Sequence, residues 1–172
     1  RILTRQGGHR SIVLAGDSAG ANLALSAALR LGNDHSGPHL AGLLLFSPHV
    51  DHEVSGSGTD GDDRPSDVDR TAAEWLAAAY RGGLRADDPR LSPLRADLSG
   101  LAPMLIQVGT ADTSFDQAIG LARRARVAGV DATLDVWHGL WHTWHYHRDL
   151  PEADQALAEA GAFARRLWRR GT

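Results

Sequence analysis

Residues 11–31 read SIVLAGDSAGANLALSAALRL, and no other stretch restricts the fold so tightly. Ile12, Val13, Leu14 and Ala15 form a short apolar run suited to a strand buried on both faces. Gly16-Asp17-Ser18-Ala19-Gly20 follows without a spacer, and an Ala/Leu-rich segment of high helix propensity comes next. A turn this abrupt forces the serine into a strained backbone conformation, and small residues two positions to either side relieve the crowding. Gly16 and Gly20 stand at those positions. Strand, G-x-S-x-G and helix together make the context of a nucleophile elbow, with Ser18 Oγ pushed out of the turn. The first N–H groups of the helix lack intrahelical partners, so the Ala19 amide is a ready donor for an oxyanion.

The rest of the chain supplies the partners such a turn needs. Leu40–Phe46 (LAGLLLF) reads as a second buried strand, Met104–Val108 (MLIQV) as a third and Ala132–Trp137 as a fourth. Helices are predicted over Ala19–Leu31, buried on most of its surface, over Arg70–Arg81 and over Asp116–Ala128. The last is Pro151–Arg170, with a buried stripe of Ala153, Ala156, Leu157, Ala160, Ala164 and Leu167. Trp75, Leu76, Ala79 and Tyr80 share a face of the Arg70–Arg81 helix, and Gly82-Gly83 ends it. Arg1–Arg10 suggests a helix end and a glycine turn, and Asn33–Pro38 a polar turn. Strands alternating with helices predict an α/β fold of about four mostly parallel strands with right-handed crossovers. The chain is expected to form one domain, 1–172. Within it, 51–85 is a cap-like or lid-like insertion, because Asp51–Asp69 is rich in Gly, Ser and Asp and too long for an ordinary connection.

Open α/β sheets place their sites beyond the carboxyl ends of the strands. Three of these ends offer Ser18, Asp112 and His142 in that chain order. A serine hydroxyl is a poor nucleophile until an imidazole accepts its proton, and a buried carboxylate fixes the tautomer of that imidazole. Asp116 is the reserve acid, with the alternative role of capping the helix that follows. His138, His142, His145 and His147 also raise the idea of a zinc site. No carboxylate of the H-E-x-x-H kind accompanies them, so no metal is expected. Trp137, Trp141 and Trp144 would either wall an acyl pocket or pack the loop.

GDSAGANLAL (16–25), LLLFSPHVD (43–51), DPRLSPLRADLSGLAPMLIQVGTAD (88–112) and VAGVDATLDVWHGLWH (127–142) resemble the hormone-sensitive-lipase-like branch of the α/β-hydrolases, which includes many bacterial carboxylesterases. The resemblance implies Ser18 as nucleophile, Asp112 as acid and His142 as base; beside them Ala19 is expected in the oxyanion hole, and Asp17 and Trp141 are expected to border the substrate pocket. It implies hydrolysis of short-chain carboxylic esters through an acyl-enzyme, with no cofactor. The upstream His-Gly-Gly-Gly motif and the strands before the elbow have no counterpart. The expectation is therefore the C-terminal portion of an α/β-hydrolase fold. Thr113 and Ser114 stand where relatives commonly carry apolar residues. The rival readings are a truncated, inactive scaffold or binding protein, and a hydrolase of amide, thioester or lactone bonds.

Composition narrows the classes further. Cysteine is absent, which removes disulfides, thiolate metal sites and cysteine nucleophiles. A formal net charge of −3 gives no reason to expect nucleic acid, and no apolar run reaches membrane length. The expected partners are a small-molecule ester and, in assembly, a second copy as a homodimer. The expected location is the cytoplasm.

Overall fold

The computed structural model describes residues 11–32, 39–53, 75 and 78–170. Four strands, β1 (Ser11–Asp17), β2 (His39–Phe46), β3 (Met104–Gly109) and β4 (Ala132–Trp137), form one sheet in the order β1-β2-β3-β4. Every pair is parallel. Asp17 pairs with Phe46, Phe46 with Gln107 and Gly109 with Trp137, so the four carboxyl ends lie along one rim. Among the described residues, the helices that pack on this sheet are α1 (Ala19–Gly32), α2 (Phe115–Val127) and α3 (Pro151–Arg170). Single 3-10 turns occupy Pro93–Arg95 and Trp144–Tyr146.

The central strands are apolar on consecutive residues because both faces of the sheet are covered. Leu43, Leu45, Met104, Ile106 and Val108 meet α1 and α2 on one face, through Ala21, Ala24, Leu25 and Ala28 of α1 and Ala118, Leu121, Ala122 and Ala125 of α2. Leu44 and Leu105 point the other way, onto Ala160, Phe163 and Leu167 of α3. Alanine dominates the helix faces, so the backbones approach closely and leucine fills the space between. Each fully buried leucine contributes about 1.5–3 kcal/mol relative to exposure.

The four strands and the helices α1, α2 and α3 agree with the sequence-based expectation to within two residues, and most of the expected Arg70–Arg81 helix lies outside the described residues. The packing corrects several details. In α3, Leu157 is 46% exposed and Phe163 is buried in its place. Ala164 is only half-buried. α1 is at least partly covered at most positions, as expected, with Leu23 the large apolar exception at 58% exposed. Trp75 and Tyr80 are exposed, and the helical residues 78–81 end at Gly82 and Gly83, both at positive φ. The expected elements in 1–10 and 33–38, with most of 51–74, lie outside the described residues.

Candidate active site

The rim of the sheet brings the three sequence-predicted residues together. Ser18 sits between β1 and α1 with φ of 49°, in the left-handed region that non-glycine residues rarely occupy. Its N–H donates to the Phe46 carbonyl at 2.9 Å. Its carbonyl accepts from Ala21 at 3.1 Å and from His49 at 3.2 Å. The two glycines of the motif have different weights. A Cβ on Gly16 would collide with the Gly20 carbonyl and lie 2.7 Å from the Ala21 nitrogen. A Cβ on Gly20 would meet, among the described residues, only Asp17 Oδ1, at an ordinary 3.6 Å. The steric demand therefore falls on Gly16, with Gly20 supplying the backbone it must clear.

Asp112 follows β3 and is completely buried. Its Oδ1 accepts from the Ser114 N–H and the Ser114 hydroxyl, both at 2.8 Å. Ser114 thus fixes the carboxylate through its amide and its hydroxyl. Burial pushes the Asp112 carboxyl up, but it is outweighed by His142 through its hydrogen bond and charge, by the Ser47 hydroxyl and by the Ser114 N–H. The net result is a carboxyl held below its ordinary value. Asp116, the reserve acid, is exposed in the first turn of α2, and Ser114 is that helix's N-cap residue.

His142 reaches the other two from the loop after β4, and two anchors hold that loop. On one side it is stitched to the end of β3. Thr110 N–H donates to the Trp137 carbonyl at 2.9 Å, Ala111 N–H to Leu140 at 3.0 Å, and Gly139 N–H to Thr110 Oγ1 at 2.8 Å. Gly109 permits this approach, since a Cβ there would run into the Leu140 carbonyl. On the other side, Thr143 N–H donates to Ser47 Oγ at 3.0 Å, at the end of β2. Between the anchors, His142 Nδ1 lies 2.8 Å from Asp112 Oδ1 and Nε2 lies 2.9 Å from Ser18 Oγ. The carboxylate can only accept, so Nδ1 carries the proton and the Nε2 lone pair faces the serine hydroxyl. The line Asp112–His142–Ser18 can draw a proton from Oγ as that oxygen attacks an electrophile.

A family model described as the alpha/beta hydrolase fold matches residues 3–146. The chain belongs to the α/β-hydrolase fold family. An acetyl-hydrolase of Streptomyces hygroscopicus is 39% identical over 168 residues, covering 96% of this chain and 56% of that protein. An esterase of Acinetobacter venetianus is 34% identical over 165 residues, covering 92% and 53%. The crystal structure of an esterase from the bacterial hormone-sensitive lipase family superposes with a TM-score of 0.82 at 40% identity, covering 91% of this chain and 53% of that one. The chain spans about half the length of the relatives it matches.

In this α/β-hydrolase chain the remaining predicted residues take defined places. Ala19 is the first residue of α1, beside Ser18, so its N–H has no acceptor within the helix. Asp17 ends β1 and accepts a hydrogen bond from the Tyr146 hydroxyl, raising the pKa of that phenol. Trp141 is partly exposed, packs edge-on against His147 and donates to its Nε2 at 3.4 Å. Trp144 is fully buried against Trp137, so packing is what these two tryptophans do. The loop histidines diverge. His142 faces Asp112, His145 is stacked on Trp144 with Phe46 at its edge, and His147 meets Trp141. No cluster of three metal-ligating side chains occurs among the described residues. No helix there is long and apolar enough to cross a membrane.

Sequence reasoning missed the supports. In the sequence, Ser47, Gly109 and Gln117 carry no motif that marks them as site residues. Only a polar residue at an otherwise core-facing helix position could have drawn notice to Gln117, which is 5% exposed.

Proposed function

We propose that this chain carries the reaction centre of a serine carboxylesterase that works through an acyl-enzyme. The observation that supports it most is the unbroken hydrogen-bonded line from Asp112 through His142 to Ser18 Oγ, at 2.8 and 2.9 Å. In this reading Ser18 Oγ bonds to the ester carbonyl carbon while His142 Nε2 takes the hydroxyl proton. The carbonyl oxygen becomes an oxyanion that accepts from the Ala19 N–H, and buried Asp112 stabilises the imidazolium. Collapse breaks the bond to the alkoxy oxygen, and His142 returns its proton to the departing alcohol. Water then attacks the acyl carbon as His142 takes one of its protons, and as the acyl–Oγ bond breaks His142 gives that proton to Oγ, releasing the acid and regenerating Ser18.

The names of the relatives, an acetyl-hydrolase and esterases, support short acyl esters as the substrate class. The test is hydrolysis of p-nitrophenyl acetate and butyrate by the wild type and by Ser18→Ala, with folding checked by circular dichroism. The expected loss is at least about 10³-fold in kcat, with the fold retained. A Ser18→Ala protein that hydrolyses these esters at the wild-type rate would overturn the proposal.

A further inference from the structure

The segment that follows β2 is held unusually firmly, and the residue holding it is on the helix behind Asp112. Gln117 Oε1, from α2, accepts from Val50 N–H at 2.7 Å and from Asp51 N–H at 2.9 Å. An oxygen that accepts two amide protons must be the carbonyl oxygen, which settles the orientation of this side chain. Its amino group then lies 3.4 Å from His49 Nδ1 and can only donate. His49 Nδ1 must therefore be an unprotonated acceptor, and in a neutral ring the proton sits on Nε2. His49 is tied on its main chain as well. Its N–H donates to the Ser18 carbonyl at 3.2 Å, and its carbonyl accepts from Asn22 Nδ2 of α1, also at 3.2 Å.

We propose that Gln117 and His49 form a positioning pair for the reaction of Ser18: Gln117 holds His49 in the tautomer protonated at Nε2 alone, and His49 so held braces the carbonyl side of the Ser18 turn. The pair ties α2, whose N-cap residue also binds the Asp112 carboxylate, to the turn that carries the nucleophile. One connection thus sets acid and nucleophile relative to each other, and His142 bridges them through its own two hydrogen bonds. This inference rests on the esterase reading only for its kinetic consequence, since the tautomer is a property of the folded chain.

The charges around His49 suit the acceptor role. Burial and the neighbouring imidazoles of His52 and His142 push its pKa down to about 4, against a smaller opposing pull from Asp51. Asp51 is itself paired with Arg95, which also binds Glu53. At neutral pH His49 is accordingly uncharged, with its Nδ1 lone pair available to Gln117. The ring also packs edge-on against His52 at 5.1 Å, and His52 stacks on Tyr80 at 5.6 Å. These ring contacts limit its rotation.

The first measurement is long-range ¹H–¹⁵N correlation of the histidine rings in the wild-type protein at pH 7. The proposal expects His49 with its proton on Nε2, and a proton on Nδ1 would overturn it whether or not the chain hydrolyses esters. The second uses Gln117→Glu, which keeps an oxygen for the Val50 and Asp51 amides but offers His49 a carboxylate instead of a donor. The ring must then carry a proton on Nδ1. Expected are that proton in the spectrum, a fall in kcat of about tenfold with KM within about twofold, and a second ionisation in the pH profile of kcat/KM. A role confined to holding the fold would lower the melting temperature and leave that profile unchanged. Wild-type kcat and pH profile in Gln117→Glu would overturn the proposal. Absence of hydrolysis by the wild type would instead count against the esterase reading, with the tautomer still decided by the spectrum.

Discussion

At Gly109 one hydrogen atom in place of a methyl group decides whether the histidine loop can close on Asp112. The Leu140 carbonyl occupies the space a Cβ would need, and the Ala111 N–H meets that same carbonyl at 3.0 Å. Gly109→Ala should push the loop away from β3 and carry His142 with it. A displacement of about 1 Å between reacting groups is enough to cost on the order of a hundredfold in rate. Overpacking of this kind also costs about 1–3 kcal/mol of stability. Gly20→Ala is the useful contrast, because its Cβ would find only ordinary contact among the described residues. The expected outcome is a large fall in kcat/KM for Gly109→Ala and a small change for Gly20→Ala, read with a p-nitrophenyl ester. Equal effects from both would show that the motif glycines and the loop contact are not distinguished by sterics.

For whole elements, the clearest division among the described residues is between α3, which covers one face of the sheet, and α1 with α2, which share the other. α3 docks through Ala153, Ala156, Ala160, Phe163 and Leu167, whose spacing alternates three and four residues. Leu157 falls one residue after Ala156, about 100° around the helix, and so turns toward solvent. Phe163→Ala should therefore cost about 3–5 kcal/mol and Leu157→Ala within about 0.5 kcal/mol, measured by urea unfolding. Reversal of that order would mean α3 docks on a different face. The same geometry explains what the sequence could reveal. Strands such as LLLF and MLIQV were readable because burial on both faces leaves continuous apolar runs. Ser18, Asp112 and His142 were readable because a parallel sheet sends every strand end to one rim. An alanine-rich helix left its stripe ambiguous by one position, so Leu157 and Phe163 were exchanged. Ser47, Gly109 and Gln117 were not legible as site residues at all. Each acts through a backbone contact with a distant loop, and such contacts leave no local periodicity.

For the molecule as a whole, acid is the condition that separates the rim from the core. His49 and His145 are both on rim loops, and burial is the leading cause that lowers each from 6.5 to about 4. For His145 neither ring nitrogen has a hydrogen-bond partner among the described residues, and the nearby Asp112, Asp135 and Asp17 only partly offset its burial. In the unfolded chain these rings take up protons near pH 6.5, whereas the folded chain resists until about pH 4. Between those limits the unfolded state binds more protons, so stability falls as the pH is lowered. Each histidine adds a slope of at most about 1.4 kcal/mol per pH unit in that window. Asp112 acts later. Its carboxyl is held below 3.8, so its contribution is complete above that value and disappears only as the pH falls further. Melting temperature should accordingly begin to drop below about pH 6.5, well before any carboxylate is protonated. His145→Phe keeps a ring against Trp144 and Phe46 but removes one titrating group and two unsatisfied nitrogens. That variant should show a shallower decline between pH 6.5 and 4. A wild-type melting temperature that stays level down to pH 5, or a variant with an unchanged slope, would show that His145 is not held neutral by its burial.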